Sequence, residues 1–131
     1  MTKTTKIMIV DDSVTARMCI RRCLEIIGYN NAEFLEATNG RDALTKAKTA
    51  GIDLLLTDLN MPVMDGETLV KWVKSSPKLT DIPVIVITSA GNPAKENILL
   101  GLGVQAVINK PVTPGGLQQV LPEQVTEEWS V

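Results

Sequence analysis

The chain contains no histidine. That removes imidazole from every role it fills, as general base, metal ligand or phosphoryl carrier, and with it any Ser-His-Asp or Cys-His arrangement. No apolar run approaches the ~20 residues of a membrane span. The start, MTKTTK then IMIV, lacks the apolar region and cleavage site of a secretory signal. No membrane association is expected, and a cytoplasmic location follows by default. Positive charge is not in excess: 13 Lys and Arg stand against 15 Asp and Glu, a net charge of -2. No basic field for nucleic acid is evident. Cysteine is scarce, with Cys19 and Cys23 alone, one helical turn apart. They read either as a redox or metal pair or as two small apolar residues on the buried stripe of a helix. The second reading is the expectation.

What is present suits one globular domain, 1–131, with a core over about 6–120 and a tail at 123–131. The chain has 131 residues, 44% of them hydrophobic and 21% charged. Five short apolar runs alternate with helical patterns. Residues 6–10 (KIMIV) form the first strand candidate, followed by Ser13 as a helix cap and a stripe of Ala16, Ile20, Cys23, Leu24 and Ile27. Gly28 ends that helix. A weaker strand at 32–37 precedes a helix marked by Ala43, Leu44 and Ala47, which ends near Gly51. In residues 52–58 (IDLLLTD) Leu54, Leu55 and Leu56 run without alternation, as in a strand covered on both faces, and the strand ends on Asp58. Asn60, Pro62, Asp65 and Gly66 break it. A third helix follows over about 66–74, with Leu69, Val70 and Trp72/Val73 as its apolar positions. Residues 83–87 (PVIVI) are the fourth strand, and Asn92 with Pro93 opens the fourth helix. Residues 104–108 are the fifth strand. Thr113 and Pro114 open a last helix, which Gly115 and Gly116 weaken and Pro122 cuts short. Five strand–helix alternations with short links predict an α/β fold, a parallel sheet with helices on both faces.

Parallel strands all end on one rim, where open α/β sheets place their chemistry. Here the ends carry Asp11 and Asp12, then Asp58, then Thr88 and Ser89, then Lys110. Any one of these is an ordinary solvated residue; three carboxylates, two hydroxyls and an ammonium on one rim are harder to attribute to chance. Converging carboxylates repel, and Lys110 supplies one compensating charge. A hard divalent cation with oxygen ligands supplies more, and Mg²⁺ fits because it takes few protein carboxylates and keeps waters and a phosphate oxygen. A carboxylate also serves as a phosphoryl acceptor, given positioning and neutralisation of the phosphoryl oxygens.

These residues resemble a family. The pair at 11–12, the run D-L-N-M-P-V-M-D-G from Asp58, T-S-A from Thr88 and K-P from Lys110 are similar to response-regulator receiver domains of the stand-alone chemotaxis type. The resemblance covers about 6–120. It implies a doubly wound, flavodoxin-like sheet of five parallel strands in the order 2-1-3-4-5, flanked by five helices. Asp58 would accept a phosphoryl group from a histidine kinase, without turnover of any other substrate. Asp12, Asp58 and the backbone carbonyl of Asn60 would ligate Mg²⁺, with Asp11 acting through water. Lys110 would pair with the phosphoryl oxygens, Thr88 would carry the switch, and the Lys110–Pro111 bond would be cis. A downstream protein would dock on the fourth helix, fifth strand and fifth helix of a monomer or weak dimer.

The match has departures. Val107 stands where receivers usually carry an aromatic residue, and Val112 where phenylalanine is frequent. The last helix is short. These bear on the signalling face, not on the acceptor. Two other classes fit the residues less well. A hydrolase forming an aspartyl phosphate needs a second acid two residues after the nucleophile, and Asn60 stands there. A flavin site lacks its phosphate loop, since DDSVT follows the first strand. A phosphorylation-independent scaffold or dimerising module is the alternative, suggested by residues 98–100, apolar all round, with Leu99 or Leu100 expected on the surface.

Overall fold

The computed structural model describes residues 4–89 and 92–121. Ala90, Gly91, Pro122 and the tail at 123–131 lie outside the described residues. The strands are β1 (Lys6–Val10), β2 (Glu33–Ala37), β3 (Leu54–Asp58), β4 (Val84–Thr88) and β5 (Ala106–Asn109). The helices are α1 (Val14–Leu24), α2 (Gly40–Ala50), α3 (Gly66–Ser75), α4 (Pro93–Gly101) and α5 (Pro114–Val120). All strand pairs are parallel, and the order is β2-β1-β3-β4-β5. The fifth strand begins two residues later than its sequence pattern suggests, at Ala106 rather than residue 104.

The unbroken apolar strands follow from burial on both faces. Met8, Val10, Leu55, Val84 and Val86 face a core formed with Ala43 and Ala47 of α2, Leu69, Val70 and Val73 of α3, and Leu99 of α4. Ile7, Ile9, Leu54, Leu56, Ile85 and Ile87 face the opposite core with Ile20, Cys23 and Leu24 of α1 and Leu117 of α5. Adjacent residues thus serve different layers, and neither parity can be polar. Each fully buried Leu or Ile contributes about 1.5–3 kcal/mol.

Helix starts are local events. Ser13, Asn39, Asp65, Asn92 and Thr113 each accept a backbone N–H with the side chain at the N-cap. Past α1 the chain makes a wide helical turn, Glu25–Tyr29, broken at Gly28 with φ 115. Gly51 (φ 70) closes α2.

One expectation needs correction, the burial of Cys19, and two open alternatives are decided. Trp72 is 54% exposed while Val73 is buried, so the tryptophan lies off the packed stripe of α3. Cys23 is buried but Cys19 is exposed. Four residues of rotation, about 400°, carry Cys19 past the edge of the α1 stripe. In α4 Leu99 is wholly buried, and Ile98 and Leu100 are the surface residues.

Candidate phosphoacceptor site

Register aligns the rim. Val10 pairs with Thr57, so the residues that follow, Asp11 and Asp58, leave the sheet side by side. Asp58 pairs with Ile87, and Thr88 with Asn109, which places Thr88 and then Lys110 one step further out. The Lys110 backbone N–H donates to the Thr88 carbonyl at 2.8 Å, tying the last two strand ends together.

The side chains converge. Lys110 Nζ lies 3.2 Å from Asp11 Oδ2 and 3.6 Å from Asp58 Oδ2. Asp11, Asp12 and Asp58 each offer a carboxylate oxygen, all within 4.8 Å of one another. Asp11 and Asp58 are buried; Asp12 and Asn60 are exposed. Thr88 is 5% exposed at the same edge, and Ser89 lies on the surface. The Lys110–Pro111 peptide is cis. The structure thus brings Asp11, Asp12, Asp58, Thr88 and Lys110 to one edge, with Asn60 on the loop that leaves it.

Each acid is anchored by its loop. Asp11 Oδ1 accepts the Ser13 N–H at 2.9 Å, leaving Oδ2 to Lys110. Asp58 Oδ1 accepts the Leu59 N–H at 2.8 Å. Burial pushes the Asp58 carboxyl above the usual carboxylate range, and the Asp11 charge pushes it further; Lys110 and the Leu59 and Asn60 N–H groups oppose this without cancelling it. For Lys110 burial works against the cation, but the hydrogen bond to Asp11 and the Asp58 and Asp11 charges outweigh it, so its pKa is raised. The outcome is a secure ammonium beside an under-neutralised carboxylate. An anion of that kind favours a cation and is a stronger nucleophile. Three hard oxygen donors, one of them exposed, suit a small divalent cation that keeps part of its water shell.

Sequence reasoning missed the supporting residues. Arg17 Nη1 donates to the Asp11 carbonyl at 2.7 Å, while its Nε pairs with Glu36 at 2.7 Å, so it holds the β1–α1 turn against β2. Glu67, in the first turn of α3, pairs with Lys95 in the first turn of α4 and with Lys71. The Gly40 N–H donates to the Met64 carbonyl at 2.9 Å and fixes the far end of the β3–α3 loop. Apart from the Glu67–Lys71 pair, which is i,i+4 within α3, these contacts join different elements and have no local signature. Val107 is half-buried. With Thr88 and Leu99 it lines a crevice of about 10 Å³, room for about one water molecule.

Comparison with known proteins identifies the family. The model of the response regulator receiver domain matches residues 7–122. The chemotaxis protein CheY1 of Helicobacter pylori is 41% identical over 121 residues, covering 92% of this chain and 93% of that protein. The CheY homolog of Campylobacter jejuni is 38% identical over 123 residues, covering 93% and 90%. Among solved structures, the chemotaxis response regulator CheY4 of Vibrio cholerae superposes with a TM-score of 0.79 at 32% identity, covering 91% of this chain and all of that one. Among the described residues no helix is long and apolar enough to cross a membrane. The chain therefore belongs to the response regulator receiver domain family, whose general role is phosphorylation-based signalling.

Proposed function

We propose that Asp58 is the phosphoacceptor of a chemotaxis-type response regulator, charged by a histidine kinase in a Mg²⁺-dependent reaction and read by a partner protein. One observation carries the reading: a 7%-exposed carboxylate at a strand end, with two further acids within 4.8 Å and the Lys110 ammonium at 3.6 Å.

In the reaction an Asp58 carboxylate oxygen attacks the donor phosphorus, and the bond from phosphorus to the donor imidazole breaks. Asp58 Oδ1 stays on the Leu59 N–H, which leaves Oδ2, beside Lys110, to face the donor. Lys110 neutralises phosphoryl oxygens and so stabilises the spread of charge in the transition state. Thr88, at the neighbouring strand end, supplies a hydroxyl donor that follows the phosphoryl group. Asp12, Asp58 and the Asn60 carbonyl would hold Mg²⁺, with Asp11 acting through water. The ion, when bound, would offset the carboxylate repulsion and the phosphoryl charge. The chain supplies no histidine, so the kinase must provide the phosphoimidazole.

The read-out face comprises α4, β5 and α5. Ile98 and Leu100 are exposed there. Val107 offers no ring to turn inward, so the change reaches α4 through Thr88 and the crevice it shares with Leu99 and Val107. The added charge biases this two-state region. Glu67–Lys95, which ties α3 to α4 beside the site, is placed to move with it.

The test is intact-mass spectrometry after incubation with acetyl phosphate. The native protein is expected to gain one phosphoryl group with Mg²⁺ and none without it, and Asp58→Ala none in either case. No addition to folded native protein in Mg²⁺ overturns the reading.

A further inference from the structure

Outside the acidic rim, a groove of about 380 Å³ runs between α1 and the segment after β5. Its walls are Ala16, Cys19 and Ile20 on one side and Lys110, Pro111 and Val112 on the other, over Ile87. It is apolar apart from the lysine, whose ammonium is engaged by Asp11 and Asp58. The Cys19 thiol is therefore the reactive group that opens into it.

Cys19 does not stand alone. Cys23 follows at i+4 on the same helix, and its Sγ lies 3.8 Å from the carbonyl of Val112, which lines the groove. Burial pushes the Cys23 thiol up, and the neighbouring Cys19 raises it further. One turn of α1 sets the two cysteines at adjacent positions of the helix surface, one exposed and one buried beneath it.

Helix geometry decides what such a pair can hold. Residues four apart on a helix have Cβ atoms about 5–6 Å apart. A disulfide needs about 3.5–4.5 Å between Cβ atoms, so direct oxidation would distort α1. A single soft atom bonded to both sulfurs needs no such approach. Bonds near the 2.3 Å of metal–thiolate contacts, at the bent angle of a pyramidal trivalent centre, set the sulfurs about 3.5 Å apart, well beyond the ~2.05 Å of a disulfide. Thiolates select soft centres, and the apolar groove beside Cys19 has room for an organic substituent.

We propose that Cys19 and Cys23 form a two-thiol site for a trivalent organoarsenical or a similarly soft thiophile with two open positions. Loading is a condensation: the two thiols form two As–S bonds, the As=O bond is broken, and its oxygen leaves as water with both thiol protons. Arsenic stays trivalent, so no oxidant or reductant is needed. The site does not involve Asp58 and stands or falls independently of the phosphoacceptor reading.

The probe is phenylarsine oxide, followed by intact-mass spectrometry of the full chain. Native protein is expected to gain one phenylarsenic group with loss of one water. Excess 2-mercaptoethanol should leave that adduct intact, and 2,3-dimercaptopropanol should strip it, as two sulfur bonds require. Cys19→Ser and Cys23→Ala should each yield at most an adduct that 2-mercaptoethanol removes. The monothiol–dithiol comparison on native protein decides even where a variant folds poorly. No adduct on native protein, or one that 2-mercaptoethanol removes completely, overturns the proposal. So does an equally resistant adduct on Cys23→Ala.

Discussion

A Cβ on Gly66 would lie 2.3 Å from the carbonyl oxygen of Asp58 and 2.9 Å from Cα of Leu59. The first residue of α3 therefore rests directly on the end of β3, and the Gly66 N–H closes the contact by donating to the Leu59 carbonyl at 2.8 Å. Since the obstruction is backbone, no side chain can rotate away. Gly66→Ala is expected to cost about 1–3 kcal/mol, the usual range for overpacking, and to slow phosphoryl uptake by displacing Asp58. Urea unfolding and the acetyl phosphate reaction measure the two effects. Unchanged behaviour in both would remove the link between α3 and the acceptor.

Asp58 itself opposes folding at neutral pH. Burial and Asp11 raise its pKa, so the native state binds its proton more tightly than the unfolded chain does. Its stabilising contribution is complete in acid, below the unfolded value, and is lost as pH rises through the folded value. Asp58→Asn cannot lose it. In metal-free buffer at pH 7 the variant is expected to melt above native protein, with the gap closing on acidification; a lower melting temperature at pH 7 would contradict this.

Asp65 behaves in the opposite sense. It caps α3, accepting the Thr68 N–H at 2.9 Å. That hydrogen bond, aided by Lys95 and Lys71, holds its carboxyl below the usual range. Its contribution is present above the unfolded carboxylate value and disappears as pH falls through the lowered folded value. Asp65→Ala is expected to lose about 1 kcal/mol at neutral pH. Denaturation of both proteins across an acid series should show the difference shrinking as Asp65 protonates.

Val63 sits in the β3–α3 loop at φ 69, the left-handed region, with 75% of its surface exposed. A β-branched residue there costs about 1–2 kcal/mol and gains little from packing. Val63→Asn, which tolerates this conformation, is expected to raise the melting temperature without altering phosphoryl uptake. No gain in stability would show that the valine makes a compensating contact.

The α4 surface separates folding from recognition. Leu99 is wholly buried and Leu100 is 44% exposed. Leu99→Ala is expected to cost about 2–5 kcal/mol, whereas Leu100→Asp should fold within about 0.5 kcal/mol of native protein. If this face carries the partner or a second copy, Leu100→Asp weakens that contact alone, as analytical ultracentrifugation and partner titration would show. A dimer that survives the change would exclude the face as the dimerising surface.

Most of the candidate site is legible because its residues sit at strand ends, and strand ends carry local marks. Apolar runs stop on Asp11, Asp58, Thr88 and then Asn109–Lys110, and helix caps stand just beyond at Ser13, Asp65 and Asn92. Periodicity gives an angle but not an edge, so it misplaced Cys19 and left Trp72 against Val73 and Leu99 against Leu100 undecided. Cys19, Trp72 and Leu99 are each one residue or one turn from a stripe boundary, and which side of it they occupy depends on how widely the neighbouring layer covers the helix.

The sequence by itself determined the alternation of elements, the parallel sheet covered on both faces, and the chemical inventory of its rim. Period, breakers and caps are properties of neighbours along the chain, so these need no partner to be read. Only the tertiary structure decided the register that sets Asp11 beside Asp58, the reach of Arg17 to the Asp11 carbonyl, the close seat of Gly66 on β3 and the groove that opens at Cys19. Each is a distance between segments far apart in sequence, fixed when the helices pack on the sheet.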